Sequence, residues 1–323
     1  MYSVAGVCVA TILIIIILYV LVELILVPHF CNKRCRSKVC LVGKTALVTG
    51  GSSGMGYEIV LELAQRGCRV IVADKIVSNN LRNKFIEKTN NFDISLDYVD
   101  LGSFQSVRAL AEKLSNREKK IDILIHNAGI GPIINGLSTD GLNLTMQVNF
   151  YSPFLLTHLL LDLLKNSQSA RLIFCSSSII KQLHSLILLE KCVIRKLEQY
   201  KFSKFCLAAT ADIFAKKLRR FNISSNCYDP GVVNTNIHAQ FITNKFIYSL
   251  WFTAFRSLLK SPEDGCQTAI YLACAKEAEG VTGQFFADLK PLNKPKVMFD
   301  EKVCQSIWNK AEKLVQLQTD QIL

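Results

Sequence analysis

No Cys-x-x-Cys pair occurs in this chain, although it carries twelve cysteines. Scattered thiols without that spacing suit reduced cysteines better than a disulfide framework or a zinc site. Also missing is a basic stripe interleaved with aromatics. The formal charge is +12, but its lysines and arginines are dispersed over 113–120, 191–204 and the stretch after residue 30. No nucleic-acid partner is therefore expected, and an anionic membrane surface accounts for the excess. No repeat, low-complexity tract or Pro/Gly/Ser-rich linker divides the chain beyond residue 42, which predicts one domain over 43–323. The N-terminus lacks both a basic segment before its apolar run and a small-x-small site after Pro28, so a cleaved signal peptide is the poorer reading.

What is present there is an almost wholly apolar run from Val4 to Val27. At ~1.5 Å per residue it spans a ~30 Å hydrocarbon layer, which predicts a transmembrane helix and a membrane anchor over 1–30. Residues 31–42 form a basic juxtamembrane linker with Lys33, Arg34, Arg36 and Lys38, whereas residues 1–6 carry no charged side chain. The positive-inside rule then places everything after residue 30 in the cytosol. Cys31, Cys35 and Cys40 lie beside the bilayer, where acylation and unmodified thiols are both open readings.

Beyond the linker, apolar runs recur at βαβ spacing: Thr45–Val48, Arg69–Ala73, Ser95–Val99, Ile121–His126, Arg171–Cys175, Ile223–Cys227 and Gln284–Phe286. Helical patterns of ten or more residues separate them. The expected fold is α/β, a doubly wound, Rossmann-type parallel sheet with helices on both faces. Between the first strand and a helix beginning near Tyr57 lies Thr49-Gly50-Gly51-Ser52-Ser53-Gly54-Met55-Gly56. A dinucleotide pyrophosphate must approach backbone N–H groups and a helix N-terminus closely. Gly50 is expected to make the turn, Gly54 to admit the pyrophosphate, and Gly56 to let the helix pack against the sheet.

Ligands of such sheets bind beyond the carboxyl ends of the strands, where the remaining informative residues fall. Asp74 ends the second strand and can accept hydrogen bonds from ribose hydroxyls. Asp100-Leu101 follows the third, His126-Asn127-Ala128-Gly129 the fourth and Ser176-Ser177-Ser178 the fifth. Tyr200 and Lys204, four apart, share a helix face. A nearby ammonium lowers a phenol's pKa and makes it a usable proton carrier, which alcohol oxidation requires as hydride leaves carbon.

In these residues the chain resembles the short-chain dehydrogenase/reductase family over residues 44 to 290. Thr49-Gly50-x3-Gly54-x-Gly56, Asn127-Ala128-Gly129, Asn149, Ser177, Tyr200-x-x-x-Lys204 and Pro230-Gly231 match its motifs in order. Gln147-Val148-Asn149 with Pro153 to Thr157, and Ser261 to Thr268 with Gly283 to Phe286, are similar to the membrane-anchored retinol dehydrogenase-like branch. The resemblance implies Tyr200 as general acid/base, Ser177 as hydrogen-bond partner of the substrate oxygen, Lys204 on the nicotinamide ribose, and Asn149 holding a water in a proton relay. Ser176 and Ser178 remain alternatives to Ser177. The implied cofactor contacts are Gly50, Ser52, Ser53, Gly54, Met55, Gly56, Asp74, Lys75, Asp100, Leu101, Asn127, Ala128, Gly129, Tyr200, Lys204, Pro230, Gly231 and Val233, with no metal.

The chain departs from the branch at Asp74, where a carboxylate would repel a 2′-phosphate. NAD(H) is favoured, and Lys75 keeps NADP(H) open. His126 replaces the usual first Asn of Asn-Asn-Ala-Gly and reads as a packed strand-end residue. Asp229 before Pro230-Gly231 is also unusual, shaping either the nicotinamide pocket or a turn. Apolar stretches at 179–189 and 237–259, with the anchor, imply a lipophilic alcohol or carbonyl substrate: retinoid, steroid, fatty aldehyde or prenol. The expected location is the endoplasmic reticulum membrane, with a lipid droplet as alternative. The competing reading is a catalytically silent, nucleotide-binding membrane scaffold. The sequence leaves the oligomeric state open, a homodimer included.

Overall fold

The computed structural model describes residues 33–132, 136–182, 196–235, 259–318, 321 and 323. Its sheet contains β1 (Thr45–Thr49), β2 (Arg69–Asp74), β3 (Ile94–Tyr98), β4 (Ile123–His126), β5 (Ala170–Cys175), β6 (Ile223–Asp229), β7 (Phe285–Ala287) and β8 (Lys290–Pro291). The order is β3-β2-β1-β4-β5-β6-β7-β8. All pairs are parallel except β7 with β8. Every strand expected from the apolar runs is present with ends moved by one or two residues. The two-residue β8 was not anticipated, because a strand that short has no pattern to read.

Among the described residues the strands are joined or followed by the helices α1 (Gly54–Gln65), α2 (Asn79–Thr89), α3 (Phe104–Arg117), α4, α5 (Leu161–Lys165), α6 (Lys196–Leu218), α7 (Pro262–Gly265), α8 (Gln267–Cys274) and α9 (Glu301–Leu314). Helix α4 runs without a break from Leu144–Met146, through a π turn at Gln147–Tyr151, to Ser152–Leu159. Successive strand side chains point to opposite faces. Leu47, Ile71, Leu124 and Leu172 therefore enter one core with α3, α4, α6 and α9. Val48, Val72, Ile125 and Ile173 enter the other with α1 and α8. The first core closes on Trp308 of α9, whose ring meets Phe154 edge-on at 4.9 Å and Phe214 at 4.8 Å. Each such fully buried side chain stabilises the fold by roughly 1.5–3 kcal/mol.

Among the described residues no helix is long and apolar enough to cross a membrane; the anchor expected over 4–27 lies outside them. Residues 33–41 have no regular structure and lie on the domain. The Arg34 guanidinium pairs with Asp264 at 3.1 Å, the Cys35 N–H donates to Gln267 Oε1 at 2.9 Å, and the Leu41 N–H donates to Arg66 O at 2.8 Å.

Candidate active site

The strand order reverses between β1 and β4, and the glycine-rich turn sits at that switch point, where a doubly wound sheet opens a crevice. Gly50 makes the turn off β1 with φ +69. At Gly56 an added Cβ would lie 2.0 Å from Gly50 O and 2.6 Å from Asn127 Nδ2, so this glycine fits α1 against the turn itself. The sheet contact expected of Gly56 belongs instead to Gly51, whose added Cβ would meet Val72 Cγ1 at 2.7 Å. The helix begins at Gly54, three residues earlier than its apolar pattern suggested.

A cleft of about 770 Å³ opens here. It is lined by the predicted Gly50, Ser52, Ser53, Gly54, Met55 and Gly56 of the turn, by Asp74 and Lys75 after β2, and by Leu101, Asn127, Ala128 and Gly129. Thr49 Oγ1 accepts the N–H groups of Asn127 (3.1 Å) and Ala128 (3.2 Å), locking the end of β4 to β1. The cleft fits a dinucleotide on three observations. Ser53 at the N-cap of α1 makes no side-chain cap, leaving the first-turn amides to a ligand. The buried Asn127 Oδ1 has no hydrogen-bond partner. Asp74 presents a carboxylate at the rim, with Oδ2 accepting the Ser52 N–H at 3.0 Å and Oδ1 accepting the Ile76 N–H at 3.1 Å.

Not every expected cofactor contact reaches this cleft. Asp100 lies outside its lining because β3 ends at Tyr98; its carboxylate pairs with Lys75 at 2.8 Å and accepts the Gly102 N–H at 2.7 Å. Pro230, Gly231, Val233, Tyr200 and Lys204 are also outside its lining. Val233 bridges to Lys260, and its side chain occupies the space beside Gly265, so the chain turns before the cleft and presents Asn234 and Thr235 there. Those two residues, Ile130, Val148 and Pro262 line the cleft without having been anticipated. Val148 and Pro262 stand in the segments that resemble the retinol dehydrogenase-like branch, while Ile130, Asn234 and Thr235 arrive there because loops from distant strands converge.

Tyr200 sits in the second turn of α6 and Lys204 one turn later, both buried. Lys204 Nζ donates to Cys175 O, the end of β5, at 2.9 Å. Gly129 packs closely against it, since an added Cβ would stand 3.2 Å from Nζ and 3.3 Å from Asn149 Oδ1. Asn149 lies in the π turn of α4. Its Oδ1 accepts the Ile130 N–H at 2.8 Å, and its Nδ2 donates to Ile130 O (3.0 Å) and Ser203 Oγ (3.1 Å). Ser203 in turn donates to Tyr200 O at 2.8 Å. Ser203, unremarked in sequence, thus ties Asn149 to the helix that carries the tyrosine.

The serine choice is sharpened by burial. Ser176 is buried and its hydroxyl donates to Lys204 O at 3.0 Å, whereas the hydroxyl of half-buried Ser177 accepts a long 3.4 Å bond from the Ile179 N–H. Ser178 is exposed in a 3₁₀ turn. Of the apolar stretches expected near substrate, 179–189 and 237–259, residues 183–189 and 237–258 lie outside the described residues, while Ile180 is packed in the core.

The electrostatics correct one expectation. Burial, with smaller contributions from Cys175 and Asp229, pushes the Tyr200 phenol well above its ordinary value of 10.0 instead of below it. Burial lowers Lys204, against Cys175 and Asp229, which raise it. The Lys204 ammonium is aimed at Cys175 O and lies 5.9 Å from the centroid of the Tyr200 ring. Asp229 makes the turn, its Oδ1 accepting the Gly231 N–H at 3.0 Å, and it also adds negative charge behind the tyrosine. His126 is a packed residue as expected. It stacks on Phe174 at 4.9 Å, bonds Thr157 Oγ1 at 2.8 Å, and is driven by burial down to about 3.

A glycine turn at the switch point, a dinucleotide-sized cleft and a Tyr/Lys pair beside β5 define a nucleotide-dependent oxidoreductase of the Rossmann type. The chain belongs to the short chain dehydrogenase family, which it matches over residues 44–245. It is 32% identical over 288 residues to mouse retinol dehydrogenase 14, covering 84% of this chain and 86% of that protein. Human polyprenol dehydrogenase is 31% identical over 288 residues, covering 83% and 84%. A short chain dehydrogenase from Shigella flexneri complexed with NADP shares the fold, with TM-score 0.63, 23% identity and 79% and 100% coverage. The chain therefore stands in the retinol dehydrogenase-like branch, as an NAD(P)-dependent oxidoreductase acting on CH–OH groups.

Proposed function

We propose that this protein is a membrane-anchored enzyme interconverting an alcohol and a carbonyl on a lipophilic substrate of the retinoid, steroid, fatty aldehyde or prenol class, with Tyr200 as general acid/base. The observation that carries the reading is that Lys204 Nζ and Asn149 Oδ1 lie beside Gly129, which lines the dinucleotide cleft, while Ser203 ties Asn149 to the backbone carbonyl of Tyr200. When bound, the nicotinamide supplies or accepts the hydride. Tyr200 Oη gives the proton to the nascent alkoxide in reduction and takes it from the alcohol in oxidation. Ser177 Oγ hydrogen-bonds the substrate oxygen and orients it. Lys204 holds the nicotinamide ribose. Both Asn149 Nδ2 hydrogens are already engaged, so its part in a relay falls to the carbonyl of the π turn or the free lone pair of Oδ1.

The lipophilic class is supported by the names of the retinol and polyprenol dehydrogenase relatives and by the apolar run at 4–27. In this reading residues 1–30 anchor the chain, 31–42 link it, and 43–323 form the catalytic domain facing the cytosol from the endoplasmic reticulum. NAD(H) is preferred through Asp74.

The test is turnover by the full-length chain in microsomes, with NADH or NADPH, against retinal, a ketosteroid, a long-chain aldehyde and a prenal. Reduction of at least one, lost in Tyr200→Phe, is expected. Nucleotide binding with no turnover of any of them would favour the scaffold instead.

A further inference from the structure

We propose that residues 33–41 strap the domain so that its cleft edge lies on the bilayer surface and a lipophilic substrate enters from the membrane. The proposal rests on the anchored reading of residues 1–30. Along the strap, Cys35, Ser37, Val39 and Leu41 turn inward, with Cys35 and Val39 packed on the core beneath α1 and α8 and Leu41 buried in it. Lys33, Arg34, Arg36, Lys38 and Cys40 are exposed. Alternation beyond Arg34 is that of an extended chain with one face on the domain.

The strap has a direction. At its start, Lys33 Nζ lies 3.9 Å from Asp288 Oδ2, Arg34 Nε pairs with Asp264 Oδ1 at 3.1 Å, and the Cys35 N–H donates to Gln267 Oε1 at 2.9 Å. Asp288 directly follows β7, whose end is level with that of β6 through the Asp229–Ala287 pairing. Asp264 belongs to α7, which brings Pro262 to the cleft, and Gln267 is the first residue of α8. At the other end, the Leu41 N–H donates to Arg66 O at the close of α1, a few residues before β1 begins. The strap thus runs from the carboxyl edge of the sheet, where the cleft opens, to the amino edge.

The tether decides which edge meets the membrane. Lys33 stands six residues beyond Val27, where the apolar run ends. Fully extended, that length reaches about 20 Å, whereas a domain of this size is about 50 Å across. A docked strap therefore holds the carboxyl edge at the bilayer and the amino edge away from it. The exposed large apolar side chains are placed to match. Ile76 and Val77 follow β2, Tyr98 ends β3, Leu137 precedes α4, Leu197 opens α6 and Val232 follows β6, all at the carboxyl edge. Val42 and Phe92 stand at the amino edge, before β1 and β3. Single apolar residues on a surface are ordinary, but their gathering around the cleft suits the boundary between headgroups and acyl chains, and exposed Lys33 and Arg34 suit anionic headgroups.

The experiment reconstitutes the full-length chain in phosphatidylcholine–phosphatidylserine vesicles containing a lipid with a diazirine on its headgroup, irradiates them, and maps the modified residues. Adducts should concentrate around Val232, Leu197 and Tyr98 and be scarce at Val42 and Phe92. A Gly/Ser insert of roughly twenty residues between Phe30 and Cys31 lengthens the tether without touching the strap, and should cut the cleft-edge adducts by about ninefold as effective concentration falls. It should also raise the KM of the vesicle-borne carbonyl several-fold and leave the NADH Kd unchanged. Arg34→Glu combined with Val39→Asp should undock the strap and spread adducts over both edges. Adducts that favour Val42 and Phe92, adducts shared evenly by both edges in the wild type, or an edge preference that survives both variants would overturn the orientation while leaving the anchored enzyme standing. Extraction of the wild-type chain from the vesicles by carbonate would refute the anchor, and the orientation with it.

Discussion

Asp74 at the end of β2 and Ser52 in the glycine turn are joined by a 3.0 Å hydrogen bond from the Ser52 N–H to Asp74 Oδ2. With Ile76 N–H on the other oxygen, the carboxylate is held at the cleft rim. Lys75, the cation that would attract a 2′-phosphate, is engaged by Asp100. Two ribose hydroxyls can donate to the remaining lone pairs of Asp74, whereas a phosphate meets like charge.

NADH should therefore bind more tightly than NADPH in fluorescence titration. Asp74→Ser should weaken NADH and tighten NADPH, each by about tenfold, the size of one modest charge interaction. A wild type that already prefers NADPH tenfold would move the determinant to Lys75.

Tyr200→Phe removes only the phenolic oxygen, so kcat should fall by ~10²–10⁴ while the NADH Kd stays within a few-fold. Lys204→Ala should damage both, since its Nζ lies beside Gly129, which lines the cleft. Because burial holds the Tyr200 phenol above its ordinary value, the neutral acid prevails at pH 7. The rate of carbonyl reduction should then be flat from pH 6 to 8, and alcohol oxidation should climb with pH through the same range. An oxidation plateau near pH 7 would show a depressed phenol instead.

Ser177→Ala and Ser176→Ala should separate. The first should cut kcat/KM with little change in Tm. The second deletes a buried bond to Lys204 O and should cost about 1 kcal/mol of stability, read in urea melts.

Acid should destabilise this domain earlier than carboxylates alone would. Burial lowers His126 to about 3, and His158 to about 4 despite its bond to Phe154 O, from an ordinary 6.5. The unfolded chain protonates both below pH 6.5 and the folded chain does not, so their contribution is complete above 6.5. It is lost as pH falls toward 4 and 3, by up to about 1.4 kcal/mol per pH unit for each histidine. His126→Asn should flatten the Tm-against-pH curve between pH 6 and 4; an unchanged slope would mean that His126 is charged in the folded state.

The chain also reports its own orientation. Asn143-Leu144-Thr145 and Asn222-Ile223-Ser224 are sequons. Asn143 is tied into the fold by Gln199 and by its cap on Met146, whereas Asn222 is exposed after α6, its Nδ2 donating to Gln168 O at 2.6 Å. A cytosolic domain leaves Asn222 unmodified, which a glycosidase shift assay checks; sugar there would reverse the topology.

The local chemistry of this protein was written in its sequence. β-branched runs at βαβ spacing specify strands because alternate residues must enter opposite cores, and Gly50 and Gly56 announce a turn in which a Cβ has no room. Tyr200 and Lys204 share a face by helical periodicity alone. Other features depend on distances no pattern encodes. Tertiary structure decided that Gly51, not Gly56, meets the sheet, that Asp100 turns away to Lys75, that Val233 packs on Gly265 and leaves the cleft to Asn234 and Thr235, and that Ser203 braces Asn149. It also reversed the expected Tyr200 shift. Sequence spacing places an ammonium near a phenol, but only packing fixes how much water is stripped from the ring and which carbonyl the ammonium points at.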